Sequence, residues 1–329
     1  MTRAQIVAAA RVSIMRGSKS FAAASRLFSP FVRERAWLLY SWCRACDDLA
    51  DGQEHGHGMT MVADGPARLA VLERQTAAAL AGEALGDPPF DALRLVVAET
   101  GLPHGFAQDH IAGFALDAAG WQPRSEDDLL RYCYHVAGVV GCMMAVAMGV
   151  APDDDATLDR ACDLGLAFQL ANIARDVGED ADAGRCYLPR DWLEQAGLTP
   201  QTMMNPANRP ALAAIVRRLT DLAAAYEHSA RFGTPALPFR SAWAVLAAAA
   251  IYGAIGRDVA RLGPCAWDAR VSTSTPRKIG FILAAALQAA LRVQRYRPEP
   301  RSRVLWQRPG HRRVEAGAMG KAGVRKCRD

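Results

Sequence analysis

A chain of 329 residues, 51% hydrophobic and 22% charged, has ample material for a large core, which excludes a disordered chain and a small disulfide-stapled scaffold. Its net charge of +5 is unevenly placed: from Arg292 onward twelve Lys and Arg face three acids, leaving a body with 27 basic and 31 acidic residues. A mildly acidic body argues against a nucleic-acid-binding fold and leaves only the basic tail as a surface for polyanions.

Alanine runs recur from end to end, at Ala8–Ala10, Ala22–Ala24, Ala77–Ala79, Ala223–Ala225, Ala247–Ala250 and Ala284–Ala286. Alanine is the strongest helix former and poor strand material, and no alternating segment or Asn-Gly hairpin signal breaks the pattern. In chain order the spacing predicts helices near 3–16, 31–50, 62–82, 88–100, 104–118, 125–149, 155–180, 208–231, 236–262 and 274–296. Ser125, three residues before Asp128, reads as the cap of the 125–149 helix. Breakers at Gly52 to Gly58, Gly86 to Pro89, Gly120 to Pro123 and Thr199 to Pro210 separate elements. No linker or repeat divides the chain, so residues 1–296 read as one all-α domain. Residues 297–329 read as a basic Pro-, Gly- and Arg-rich tail, extended and solvated, and disordered after 309.

Tyr132 to Pro152 runs 21 residues without a formal charge if His135 is neutral, long enough to span a bilayer. It carries Gly138, Gly141 and His135, and it is read, with Ser241–Gly256 and Ile279–Leu291, as a core or cavity-lining helix. No secretory leader is recognised, so a reducing cytosol and no disulfides are expected for the eight cysteines. Cys43-Arg44-Ala45-Cys46 is formally a C-x-x-C, but no second pair completes a zinc site.

The chemistry lies in two acidic motifs, Asp47-Asp48-Leu49-Ala50-Asp51 and Asp176-Val177-Gly178-Glu179-Asp180. Each puts two aspartates four apart, on one face of a helix, where like charges repel unless a cation intervenes. Upstream, Tyr40, Arg44, Asp47 and Asp51 continue one stripe, and Gln169, Asn172, Asp176 and Asp180 continue another. A surface helix shows an apolar stripe on a polar background; these show the reverse and point into a wet interior. Mg²⁺, which takes one or two carboxylates and completes its shell with water and phosphate, suits such a wall. Two walls predict a diphosphate held between them.

Four blocks carry a family resemblance: Ser18-Lys19-Ser20-Phe21, Tyr40 to Asp51 (YSWCRACDDLAD), Tyr132 to Gly141 (YCYHVAGVVG), and Leu164 to Pro189 (LGLAFQLANIARDVGEDADAGRCYLP). From Ser18 to Arg308 the chain resembles the squalene/phytoene synthases, and within them most resembles the bacterial phytoene synthases. The resemblance implies a single-domain helical isoprenoid synthase fold with a central cavity. It also implies Mg²⁺-dependent head-to-head joining of two geranylgeranyl diphosphates through prephytoene diphosphate to phytoene. Mn²⁺ is an alternative ion, and no NADPH is expected. The competing substrate is farnesyl diphosphate, giving dehydrosqualene or squalene; a non-catalytic relative is a further reading, and it is expected to have lost the aspartates retained here.

By resemblance, Asp47, Asp51, Asp176 and Asp180 with Asn172 hold metal, and Asp48 supports them. Ser18, Ser20, Tyr40, Arg44, Gln169, Asn172, Arg175, Arg185, Arg270 and Lys278 are expected at the diphosphates. Tyr132, Tyr187 and Tyr252 stand near the reacting centre. Phe21, Val136, Ala137, Gly138, Val140, Gly141 and Leu170 are expected to give room and wall to the chains, with close helix packing the competing role for the small residues. His135 stands where many relatives carry glycine. The partners expected are geranylgeranyl diphosphate, neighbouring carotenoid enzymes and the cytoplasmic face of the membrane, touched transiently by a cytoplasmic protein; no nucleic acid is expected.

Overall fold

The alanine-rich stretches fold as helices throughout, and no strand occurs among the described residues. The computed structural model describes residues 1–51 and 65–310, and their side chains except at 19, 20, 23, 50 and 51. In chain order the helices are α1 (Arg3–Gly17), α2 (Lys19–Ser25), α3 (Pro30–Asp51), α4 (Gly65–Leu80), α5 (Pro88–Thr100), α6 (His104–Ala118) and α7 (Glu126–Cys133). There follow α8 (Val139–Ala147), α9 (Asp155–Asp182), α10 (Arg190–Gln195), α11 (Arg209–Arg231), α12 (Phe239–Leu262), α13 (Thr275–Ala290) and α14 (Arg292–Arg295). Caps fix several ends. Ser125 takes the Asp128 N–H at the start of α7, as the sequence predicts, and Asp154 takes the Thr157 N–H for α9. Gly101 ends α5 in the left-handed region at φ 65°.

The hub is α9. It packs against α7 and α8 on one side and α11 and α12 on the other, with α13 laid outside α12; α3 packs on α1, α5 and α8. Backbones meet directly where α9 passes α8. A Cβ on Gly165 would stand 2.2 Å from the Ala137 carbonyl oxygen, and one on Gly141 would stand 2.3 Å from that of Ala161. One on Gly138 would press the Cys162 sulfur at 2.9 Å. The expectation that Gly138 and Gly141 leave room for substrate chains is thus corrected: neighbouring helix fills that space. The half-exposed stripe here is Val136, Ala137, Val140 and Met144.

The helix expected over 125–149 is three pieces. Between α7 and α8 the chain makes a π turn at Tyr134–Gly138, and α6 is stitched to it. His135 Nδ1 donates to the Asp109 carbonyl (2.8 Å), His110 Nδ1 donates to the His135 carbonyl (3.1 Å), and the Tyr134 hydroxyl donates to the Asp109 carboxylate. Hydrophobic period alone does not mark such a turn. Glu126–Ala147 and Phe239–Cys265 are each long and apolar enough to cross a bilayer, yet both are mostly buried in the bundle.

Residues 297–310 correct the expectation of a solvated tail. They are extended but strapped to the body. Arg301 forks onto the fully buried Asp163 (2.6 and 3.0 Å), and Arg160 holds the Glu299 carbonyl (2.8 Å). Trp306 donates its ring N–H to Asp127 (3.0 Å) and its backbone N–H to the Tyr226 hydroxyl (3.1 Å), while its ring lies 5.5 Å from that of Tyr134. Arg308 pairs with Asp155 and Asp159. Residues 311–329, with Cys327, lie outside the described residues. The seven described cysteines are free thiols.

Two stability predictions follow from these contacts. Gly165→Ala pushes a methyl into the Ala137 carbonyl and is expected to cost about 1–3 kcal/mol. Its thermal midpoint should fall while that of Gly178→Ala holds, since a Cβ on Gly178 meets nothing nearer than 3.4 Å. His110 is buried between Trp42 and Phe114, and its Nε2 has no hydrogen-bond partner among the described residues. Burial holds its pKa down to about 4, below the unfolded value of about 6.5. A depressed histidine stabilises the fold above the unfolded pKa, and that contribution, at most about 3 kcal/mol, is lost as pH falls from about 6.5 to about 4. Denaturant unfolding across that window should show a shallower acid slope for His110→Phe than for the parent.

Candidate active site

One wall stands on α3. Tyr40, Arg44 and Asp47 follow each other along it, and the Arg44 guanidinium lies 3.6 Å from Asp47 and 3.8 Å from Asp48. A single cation thus sits against two of the clustered carboxylates. Phe21 of α2 stacks on Tyr40 at 5.6 Å, and a Cβ on Gly17 would strike the Tyr40 hydroxyl at 2.5 Å. The α1–α2 junction therefore closes over this stripe, and burial pushes the Tyr40 phenol up. Ser18 Oγ accepts the Phe21 N–H (3.2 Å), so it acts as the cap of α2. The side chains of Ser20 and Asp51 lie outside the described residues.

The second wall stands on α9, where Gln169, Asn172, Asp176 and Asp180 are all half-buried along one face. Arg175 grips Asp176 with two N–H groups (2.7 and 2.5 Å). Arg270 reaches Asp176 at 3.2 Å and also pairs with Glu179. The loop carrying Arg270 is pinned by Trp267, whose ring N–H donates to the Ala174 carbonyl (3.1 Å). Asp180 is pushed up to about 7, first by burial and then by Asp176, with Arg185 opposing. Arg185 also gives its backbone N–H to the Asp180 carbonyl (2.8 Å). Tyr252 of α12 stacks on Phe168 at 4.2 Å and bears electrostatically on Arg175.

A third component was missed from sequence. Asp117, near the end of α6, accepts hydroxyl hydrogens from both Tyr132 (3.1 Å) and Tyr187 (3.2 Å). The two rings stack at 5.0 Å, and Trp121 stacks on Tyr132 at 5.6 Å. Asp117 also raises the cost of charging Asp180, which ties this cluster to the α9 wall. Burial, then Asp117, pushes Tyr187 up to about 12 and Tyr132 well above its ordinary value. Both phenols stay protonated at neutral pH. The available signal was Asp109 and Asp117, eight residues apart toward one side of a largely apolar helix that also carries His104, Gln108 and His110.

Two expected residues stand apart. Lys278, in the first turn of α13, forms no ion pair with a described residue, and α13 covers the outer side of α12. Leu170 is fully buried in the core.

Among the described residues no three His, Cys, Asp or Glu side chains converge as a ready ion cage. The donor chemistry still fits Mg²⁺, which uses one or two carboxylates and leaves the rest of its shell to water and phosphate. Asp176 and Asp180 make one such pair, with Asn172 a turn before. The proton held on Asp180 up to about 7 marks a second negative charge that a divalent ion would relieve.

The family described as squalene/phytoene synthase matches residues 14–277. The chain is 50% identical over 296 residues to a 15-cis-phytoene synthase of Enterobacter agglomerans, covering 89% of this chain and 99% of that one. It is 49% identical over 270 residues to one of Paracoccus, covering 82% and 87%. Among solved structures, a dehydrosqualene synthase superposes with a TM-score of 0.78 at 27% identity, covering 88% of this chain and 98% of that one. A squalene synthase of Alicyclobacillus acidocaldarius does so at 0.70 and 25%, covering 79% and 94%. Both acidic stripes, the helical architecture around them and these likenesses lead to one conclusion: the chain belongs to the squalene/phytoene synthase family.

Proposed function

We propose that the chain is a phytoene synthase, joining two molecules of geranylgeranyl diphosphate head to head with release of two diphosphates. The observation that carries this is the 50% identity that extends over nearly the whole length of a 15-cis-phytoene synthase. In this reading the first substrate ionises and the double bond of the second captures the allylic cation. The cyclopropyl intermediate then ionises, rearranges and loses a proton.

Mg²⁺, with Mn²⁺ an alternative, would supply the Lewis acidity that makes diphosphate a leaving group. Asp47, Asp51, Asp176 and Asp180 with Asn172 would hold the ions. Arg44, Arg175 and Arg270 contact carboxylates in the structure, and Arg185 bears on Asp180. A diphosphate exchanges one anion for another at these guanidiniums, whose planar forks suit phosphate oxygens. Tyr132 and Tyr187 remain neutral and offer stacked aromatic faces to a cation, held in place by Asp117. Phytoene is a C40 hydrocarbon without a soluble form. We therefore place the protein at the cytoplasmic face of the membrane in transient contact, where neighbouring carotenoid enzymes take the product.

Purified protein given Mg²⁺ and geranylgeranyl diphosphate should yield a C40 hydrocarbon on extraction, and a chelator should abolish it. Asp47→Ala and Asp176→Ala should each lower turnover on the order of 10³-fold. A C30 product from farnesyl diphosphate alone would move the substrate to the shorter diphosphate, and no product from either would sink the activity. Asp117→Asn keeps an acceptor for one phenol and removes the charge; turnover about 10²-fold lower with KM little changed is expected. Full activity in that variant would remove Asp117 from the chemistry.

A further inference from the structure

The face of α13 turned away from α12 holds no polar residue. Pro276, Ile279, Gly280, Leu283, Ala284, Leu287, Ala290 and Leu291 follow one another around it over four turns, about 24 Å of helix. Ile279 is 53% exposed, Leu283 65%, Leu287 64% and Leu291 46%. Opposite them, Ala285 and Ala289 are fully buried, and Trp243 of α12 donates its ring N–H to the Ile282 carbonyl (2.7 Å). The helix is therefore docked by Ala285, Ala289 and Ile282, with Ile279, Leu283, Leu287 and Leu291 facing outward. Isolated exposed leucines need no explanation; a continuous apolar helix face does.

Charge identifies what covers it. From Ala269 to Pro298 there is no Asp or Glu, while Arg270, Arg277, Lys278, Arg292, Arg295 and Arg297 all fall within that run. Arg277 is paired with Asp258 and Arg270 with the α9 wall. Arg295 and Arg297 form no ion pair with a described residue and lie just past the C-terminal end of the apolar stripe, while Arg292 is held by the Ala289 and Leu237 carbonyls (2.8 and 3.1 Å) and Lys278 shares the buried face of α13 with Ala285 and Ala289. A second copy related by a two-fold axis would set this cationic border against itself, with no carboxylate in the run to answer it. An apolar helix face bordered by unpaired cations matches an anionic bilayer surface, where leucines enter the acyl boundary and cations meet the headgroups.

We propose that α13 is the membrane-docking surface of this protein and that its partner is a bilayer rich in anionic phospholipid. This rests on the reading that the product is a water-insoluble hydrocarbon. The surface lies one helix away from the site: α12 packs α13 on one side and α9 on the other, and its Tyr252 stacks on Phe168 of α9.

The test is flotation of the full chain with vesicles of phosphatidylglycerol and phosphatidylcholine in equal parts, and with phosphatidylcholine alone. The parent should float with the anionic vesicles and far less with the neutral ones. The double variant Leu283→Glu/Leu287→Glu should lose at least tenfold of that binding. A control on another exposed apolar pair, Val12→Gln/Met15→Gln, should float as the parent does. Arg295→Gln/Arg297→Gln should weaken binding severalfold in a salt-dependent way. Turnover of geranylgeranyl diphosphate dispersed in detergent should be unchanged in all three variants, and that assay separates the two ideas. A parent that turns over but does not float, or an α13 variant that still floats, overturns the docking surface and leaves the activity standing. Flotation that depends on α13 without turnover supports the surface and removes the activity. A parent that sediments as a dimer, dissociates on the α13 substitutions and ignores vesicles assigns the face to a second copy and overturns the proposal.

Discussion

Gly165 permits the backbone contact on which the site depends. Without a side chain there, α9 lies directly against the Ala137 carbonyl and Gly138 of the π turn. That contact fixes how far apart α9 and α8 stand. Because α3 also packs on α8, the same helix carries the reference position for both aspartate walls. The π turn is held in turn by α6 through Asp109, His110 and His135. A short series of helix contacts and histidine hydrogen bonds therefore connects one wall to the other.

Within that frame the electrostatics are those of exchange. Acidic stripes inside a bundle are unstable alone, and the protein answers them with guanidiniums from the same helix, as Arg44 and Arg175 do, or from a pinned loop, as Arg270 does. The charges that would bind metal and phosphate are already balanced against each other, so binding redistributes partners and adds no bare charge to the interior. Asp180, pushed up to about 7 by burial and by Asp176, keeps an unresolved cost. It is the position where a divalent ion has most to offer.

Much of this was legible in the residues. Helix positions followed from alanine content and caps, and both walls followed from polar stripes on apolar helices. Asp117 and Asp109 escaped because they stand eight apart and form no tight acidic motif, and their meaning depends on tyrosines 15 to 70 residues away. Gly138 and Gly141 were ambiguous in principle: a missing side chain admits either a ligand or a neighbouring backbone, and only the path of α9 decides. The strap at 297–310 was misread because Arg, Pro and Trp resemble a solvated composition. Its order comes from partners such as Asp163 and Asp127, more than a hundred residues upstream.

That strap has a consequence for synthesis. Trp306 meets a residue 179 positions earlier, and Arg301 meets one 138 positions earlier. At about 5–20 residues per second on the ribosome, α7 precedes Trp306 by roughly 10–35 s. For about 7–28 s of that time Asp163, fully buried in the finished protein, waits for the Arg301 guanidinium that forks onto it, and a buried charge without its partner costs several kcal/mol. The hub helix cannot settle with that carboxylate enclosed. Nascent chains thus carry both aspartate motifs long before α9 is locked, and the fold around α9 is completed only as residues 297–310 emerge.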